Sequence, residues 1–554
     1  MSPILILIIS FTCVADIMAI LRACTALACV AAVASARQLP IVAADDYPST
    51  PSYPVYTGPS YNTTNGTNGT TIDTKKLQAD IDITKLVARA EALAKVADLS
   101  LPEYNHPTRV IGSKGHVGTV DYIYSEIAKL GDYYNITNQT FPAVTGNIFE
   151  ERLVIGHDVP KSASAMSLTP ATKGHEPVYG QLLLVPNGGC SAGDFPVNMT
   201  GAIAFIKRGT CSFGDKSANA GRAGADAAVI YNNAEGDLSG TLGSPSPNHV
   251  ATFGISAEEA APYVARLQNG TKLDAIAYID ATVDEIETTN VIAQTTAGDP
   301  ENCVMLGGHS DSVAAGPGIN DDGSGTISLL EVATQLTKYE VNNCVRFAWW
   351  AGEEEGLLGS TYYAENLSEE ENQKVRLFMD YGILRIQRAN SLPDMMASPN
   401  YALQIYNATD EENPVGSGAL RILYEEWYKE QGLPYTYIAF DGRSDYAGFL
   451  DNGIPSGGIA TGAEGVKTAE EAALFGGMAG SWYDPCYHQL CDDITNLNLT
   501  AWEVNTKLIA HSVATYAKSF DGFPKRTPEI EERSLSSSKK SKPLFKYKGN
   551  ELVM

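Results

Sequence analysis

Imidazole and carboxylate side chains recur in five short segments of this chain, each just after a strand-like run or in a loop between elements. Leu306-Gly307-Gly308-His309-Ser310-Asp311-Ser312 puts an imidazole at the end of an apolar run. There a neutral ring nitrogen can ligate metal, and a carboxylate two residues on can hold the surroundings in orientation. Gly318–Gly325 places Asp321 twelve residues after His309, in a turn that leads into a predicted helix, Thr326–Leu336. Trp349–Ser360 ends an apolar strand in Glu353, Glu354 and Glu355. Adjacent residues at a strand end point in different directions, so one can bind metal while its neighbour works on water. Asp394–Asn400 offers Asp394, and Asp484–Asp492 offers His488 in a loop that a Cys486–Cys491 bridge would close. Each segment alone is weak, since a lone histidine is commonly a satisfied polar residue and Asp-Asp-Gly a plain turn. Order and context together favour a metal site.

The elements that must position these residues read as α/β. After about residue 286, the runs Val304–Leu306, Val345–Trp350 and Val375–Met379 alternate with helical patterns, which predicts a parallel or mixed sheet covered by helices. Upstream, helical periodicity starts near Lys76. Val120, Ile123, Ile127 and Leu130 predict a helix with Thr119 as its cap, and Tyr133–Phe141 alternates like a strand. Between about 150 and 285 there are short β-like runs (Gly180–Val185, Ala202–Ile206, Ala227–Tyr231) and a helix candidate, Asp215–Ala225, without sustained strand–helix alternation. This reads as a compact α+β module inserted in a larger domain. The expected organisation is a signal peptide (1–36), a pro-segment or linker (37–75), the first part of the main domain (76–150), the insert (151–285), the metal-bearing part (286–523) and a solvated tail (524–554).

With 554 residues there is ample chain for a proper core. The net charge of −26 disfavours nucleic acid and anionic membranes as partners. Arg22 precedes an apolar run that ends in Ala34-Ser35-Ala36, a cleavage pattern for export; after cleavage no membrane association is expected. Acceptor sequons at Asn62, Asn65, Asn68, Asn135, Asn138, Asn198, Asn269, Asn366, Asn407 and Asn498 agree with that route. Six cysteines then remain, which suggests three disulfides. Sequence order suggests the neighbour pairs Cys190–Cys211, Cys303–Cys344 and Cys486–Cys491, among fifteen connectivities.

In their order, the five segments resemble the co-catalytic zinc aminopeptidases of metallopeptidase family 28, over roughly residues 76–520, and most of all secreted fungal leucine aminopeptidases. The resemblance implies a mostly parallel mixed sheet flanked by helices and two zinc ions. His309 and Asp394 would hold one ion, Glu354 and His488 the other, with Asp321 bridging. Mixed nitrogen and oxygen donors suit zinc. Glu353 falls at the general acid/base position and Tyr487 at that of an oxyanion donor. Carboxylates including Glu353 and Asp394 could hold the substrate ammonium. Arg443, in Asp441–Tyr446, matches a segment that lines the substrate pocket, and Gly457–Glu464 would form another wall. The implied reaction is hydrolysis of the N-terminal peptide bond of peptides with a free N-terminus, with leucine-like side chains preferred. One methylene changes preference by only about 1–3 kcal/mol, so specificity should be broad. The middle module, through Ile206–Phe213, Lys216, Ala223-Gly224-Ala225 and Ile230–Asn233, resembles the protease-associated domain, which makes a Cys190–Cys211 bridge expected. A monomer, secreted or in second place vacuolar, is expected. A carboxypeptidase of the same superfamily and an inactive receptor-like binding module are the alternatives.

One departure stands out. The strand-like Leu377-Phe378-Met379-Asp380-Tyr381 is followed by Gly382–Pro393 before Asp394-Met395-Met396. Deleting those twelve residues restores an uninterrupted strand-to-site segment, as expected of an unspliced intron or gene-model error. Asp380 and Asp394 are the two ligand candidates here, and Asp394 keeps the family context.

Overall fold

Short, largely apolar runs can be buried on both faces of a sheet, and several strands of this chain, Ala227–Tyr231, Ala251–Ile255 and Asn343–Trp350 among them, are used in that way. The computed structural model describes residues 70–238, 240–382 and 395–526. The expected signal peptide, most of the 37–75 segment with Asn62, Asn65 and Asn68, the candidate ligand Asp394 and the tail from residue 527 lie outside the described residues. In chain order the strands are β1 (Tyr134–Ile155), β2 (Val178–Val185), β3 (Ile203–Lys207), β4 (Ala227–Tyr231), β5 (Ala251–Ile255), β6 (Asp274–Thr295), β7 (Asp299–His309), β8 (Asn343–Trp350), β9 (Val375–Asp380), β10 (Gln404–Tyr406), β11 (Thr436–Ile438) and β12 (Ser456–Ala460). They lie side by side in the order β11-β10-β12-β9-β7-β8-β6-β2-β3-β4-β5, with β1 paired to β6 and Ser164–Ala165 beyond β5. The sheet is mixed: β12, β9, β7 and β8 run parallel, while β6 runs antiparallel to β8 and to β2.

The antiparallel pair β1–β6 ties the two halves of this sheet together. Each strand has 22 residues. Val291–Gln294 of β6 pairs with β8, whereas Asp274–Ala277 pairs with β2. Positions 150 and 285, where composition changes along the chain, both fall inside this ribbon. Beyond it, β3, helix Phe213–Arg222 and β4 are followed by β5 with no described helix between and then by helix Ala257–Gln268, so strand–helix alternation is not sustained; β2, β3, β4 and β5 are parallel. The alternation breaks because 232–250 joins β4 to β5 without a helix among the described residues, and Ala-Thr-Phe-Gly-Ile is a weakly marked strand. Its core is split by the sheet: Phe205, Val229 and Phe253 pack on one face, and Ile206, Ala228 and Ile230 on the other.

In the other half, three helices matter for the site: α1 (Ile83–Ala97), α2 (Lys114–Ala128) and α3 (Gly323–Leu336). Helix α3 is buried nearly all round, its polar Ser324, Thr326, Ser328 and Glu331 included, and packs with Leu86, Leu93, Leu306, Trp349 and Trp502. Helix α2 is capped by Ser113, whose side chain accepts the His116 amide, rather than by Thr119. Thr119 lies within the helix, and its hydroxyl donates to the Gly115 carbonyl. The true first turn is disguised because its buried positions carry glycine and histidine. The neighbour pairs Cys190–Cys211, Cys303–Cys344 and Cys486–Cys491 are all bonded. No helix among the described residues is long and apolar enough to cross a membrane.

Candidate metal centre

Parallel strands deliver their C-terminal ends to one edge of a sheet, where loops can converge. His309 is the last residue of β7 and sits opposite Trp350, the last of β8. Glu353 and Glu354 follow β8 by three and four residues. Asp321 ends the turn that enters α3, and the side chain of Asp322 caps that helix by accepting the Gly325 amide. His488 comes from the Cys486–Cys491 loop and has φ 56°, a left-handed conformation that a non-glycine residue adopts at some cost. The disulfide on either side helps hold it there.

These five side chains meet. His488 Nε2 lies 3.1 Å from Asp321 Oδ2 and 3.2 Å from Glu354 Oε2. His309 Nε2 lies 3.4 Å from the other oxygen of the same carboxylate, Asp321 Oδ1, and 3.8 Å from Glu353 Oε2. The histidine and aspartate side chains are at most 14 % exposed and the two glutamates at most 2 %. None of the facing atoms makes a hydrogen bond: His309 Nε2, His488 Nε2 and both oxygens of Asp321, Glu353 and Glu354 are all buried without one. Buried polar atoms are ordinarily satisfied, so a convergent set that is not has room for a charge to satisfy it. Ligand atoms of Asp321, Glu354 and His488 fall within 4.8 Å of one another, which suits a single divalent cation.

The electrostatics agree. Burial pushes Glu353 well above the usual carboxylate range, with His309 pulling back and Glu354 and Asp445 adding to the rise. Burial works against a charged His488, yet Glu354 and Asp321 outweigh it and raise the ring to about 9. His309 is likewise raised against its burial, by Glu353, Asp311 and Asp321. Imidazoles that attract protons this strongly sit in a field that attracts any cation.

Neighbouring groups hold the ligands. Asp311 accepts the amides of Gly352 (3.0 Å), Glu353 (3.3 Å) and Glu354 (3.2 Å), so its carboxylate orients the glutamate loop; its main-chain carbonyl meets His309 Nδ1 at 3.2 Å. Asp492 accepts the Asn320 and Asp321 amides at 2.9 and 3.0 Å. Asp484 accepts from Asn320 Nδ2 at 2.7 Å, and Asn496 Nδ2 donates to Asp484 and Asp492 alike. Asp492 and Asp484 stand in the sequence segment around His488, but nothing in their spacing shows that they hold Asp321.

The remaining candidates are placed as follows. Asp394 lies outside the described residues. Asp380, fully buried, accepts Ser444 Oγ at 2.5 Å and the Tyr446 amide at 3.0 Å, so one of its oxygens is committed to the 441–446 segment. Tyr487 stacks on His488 with ring centroids 3.8 Å apart, and burial pushes its phenol well up. Arg443 Nε donates to Asp441 at 2.8 Å. Asn198, Asn269, Asn366 and Asn407 are exposed, Asn135 is partly covered, the carboxamide of Asn138 is buried, and Asn498 caps the helix Leu499–Lys518.

Known proteins resemble both halves. The sequence pattern of Peptidase family M28 matches residues 290–513, and that of the PA domain matches residues 178–263. Aminopeptidase Y of Saccharomyces cerevisiae is 47% identical over 493 residues, 87% of this chain and 87% of its own length. Leucine aminopeptidase 2 of Trichophyton equinum is 43% identical over 464 residues, 83% of this chain and 89% of the relative. The solved aminopeptidase from Aneurinibacillus sp. strain AM-1 shares the fold with a TM-score of 0.61 at 26% identity, over 82% of this chain and 98% of that one. Similarity this high along nearly the whole of a relative means that the chain belongs to peptidase family M28: it is a hydrolase of peptide bonds that also carries a PA domain.

Proposed function

We propose that the chain is an exported, zinc-dependent aminopeptidase that removes N-terminal residues, leucine-like ones by preference, from peptides. The observation that carries this is the geometry of Asp321: its two oxygens face different imidazoles, His309 and His488, as a carboxylate shared by two cations requires. His309 would serve one zinc and Glu354 with His488 the other. Asp394 is the proposed remaining ligand. In its favour, one oxygen of Asp380 is already engaged by Ser444 and Tyr446, although the other is buried without a hydrogen bond, while the chain leaving β9 passes against His309: a Cβ on Gly382 would lie 2.9 Å from the His309 main-chain nitrogen. Joining Tyr381 directly to Asp394 would set an aspartate at that point. A mature transcript that contains the twelve codons for Gly382–Pro393 would overturn the reading of that stretch as an intron.

Zinc bound there would polarise the scissile carbonyl and ease deprotonation of the attacking water near neutral pH. Glu353, desolvated beside His309, takes that proton and hands it to the departing amine. Tyr487, stacked on His488, donates to the developing oxyanion. The names of the relatives support a free N-terminus as the recognised end and leucine as a favoured residue. Export, by secretion or to the vacuole, is supported by the apolar leader, the sequons and three disulfides. The purified chain should release nitroaniline from leucine p-nitroanilide and leave N-acetylated peptides intact. Cleavage of the blocked substrate alone would refute the aminopeptidase reading.

A further inference from the structure

Arg109 is 0% exposed, in the stretch between the 101–104 helical turn and α2, about 200 residues away in sequence from its hydrogen-bond partners. A buried guanidinium ordinarily pairs with a carboxylate. Among the described residues the hydrogen bonds of this one go to main-chain carbonyls: Nε to Pro317 at 2.8 Å, Nη1 to Ser310, and Nη2 to Gly318 at 2.5 Å and Asp321 at 3.4 Å. Its own backbone is pinned as well, since the Arg109 amide donates to Ser312 Oγ at 2.9 Å and its carbonyl accepts the Ser312 amide at 3.3 Å.

Those carbonyls belong to two loops. Ser310 follows His309 directly, and Pro317, Gly318 and Asp321 form the turn that presents the bridging aspartate. We propose that Arg109 is a positioning residue that sets the spacing of His309 and Asp321 by bonding both loops through one rigid planar fork. Asp321 is thereby held from both sides, its carbonyl by Arg109 and its amide by Asp492. Burial holds the guanidinium below its ordinary range, and Asp311, Asp322, Asp492 and Asp321 offset only part of that cost, while the positive charge limits repulsion within an acid-rich site. A lysine would keep the charge but has no planar fork with which to reach both loops.

This inference rests on the metal reading above, so the wild-type chain is the baseline. Zinc affinity by competition with a chromophoric chelator, and the visible spectrum of the cobalt(II)-substituted protein, are measured for the full-length wild type, Arg109→Lys and Ser312→Ala. Wild type that takes up no zinc defeats the metal reading itself. With wild-type binding established, Arg109→Lys should bind zinc about 10–100-fold more weakly, as is usual when a partner behind a ligand is lost, with an altered cobalt spectrum. Arg109→Lys with wild-type affinity and an unchanged spectrum overturns the positioning role. If Arg109→Lys does not fold, Ser312→Ala decides: a severalfold loss of zinc affinity supports the proposal, and wild-type affinity refutes it.

Discussion

In the PA domain the ammonium of Lys216 is fully buried, yet it donates to the Gly188 carbonyl at 2.5 Å and to that of Gly209 at 2.7 Å. Among the described residues, no buried carboxylate or imidazole oxygen or nitrogen of 178–263 lacks a hydrogen bond. At the strand ends of the peptidase half the opposite holds. Asp321, Glu353 and His309 are buried and Glu354 and His488 largely so, and the atoms they aim at one another have no hydrogen bond. Both arrangements bury charge. One consumes it internally to hold two loops together, and the other keeps it unspent for a cation and a substrate.

That difference can be tested by removing one group at a time. The largest effect should come from Glu353→Gln, which leaves the shape of the site but takes away the proton carrier: kcat should fall by about 10²–10⁴-fold with zinc content unchanged. A variant that retains turnover would make the unsatisfied glutamate incidental. Asp321→Asn exchanges one shared oxygen for a poor ligand, and zinc affinity by equilibrium dialysis should drop by at least about 10-fold. Removing zinc with a chelator should abolish activity and lower the midpoint of thermal unfolding. The stabilisation lost is about 2.7 kcal/mol if zinc is present at a hundred times its Kd.

His116 offers a pH test away from the reacting atoms. Burial lowers its ring to about 4, and it meets Ser310 Oγ at 3.0 Å. Because the folded state resists protonation more than the unfolded chain, whose histidine titrates near 6.5, this stability is fully present above pH 6.5. It is lost as pH falls toward 4, up to about 3 kcal/mol. Denaturant unfolding at pH 7.5 and 4.5 should therefore show a shallower decline in His116→Gln than in wild type; equal declines would assign the loss to other groups. The smallest effect belongs to the PA domain. Lys216→Met strands two carbonyls, so unfolding of that domain should be easier by about 1–3 kcal/mol while kcat per active site stays at the wild-type value. A matching drop in kcat would show that the two halves are energetically coupled through the β1–β6 ribbon.

How much could be read beforehand differed from residue to residue. His309, Asp321, Glu353 and Glu354 announce themselves because each follows an apolar run or a glycine turn, and His488 because it lies in the short Cys486–Cys491 loop; strand ends converge in any parallel sheet. The β7, β8 and β9 cores are equally legible as apolar runs. Thr119 misleads as a cap because Gly115 and His116, which fill the real first turn, are not apolar. β5 is inconspicuous because its five residues are weakly patterned and far from β4. Arg109 gives no signal at all: its partners are carbonyl oxygens, which every residue has, so side-chain spacing cannot reveal them.

Taken alone, the chain determines which donor atoms exist, where apolar runs stop and turns begin, and hence which chemistry is open to it. Only the folded molecule decided that Asp321 would turn its two oxygens toward different imidazoles, that Asp492 would hold its amide and Arg109 its carbonyl, and that Asp380 would commit one oxygen to Ser444 and Tyr446. Hydrophobic patterning is local and survives in the linear text. Hydrogen bonds between loops hundreds of residues apart depend on how the sheet brings those loops together, and that is settled only when the core packs.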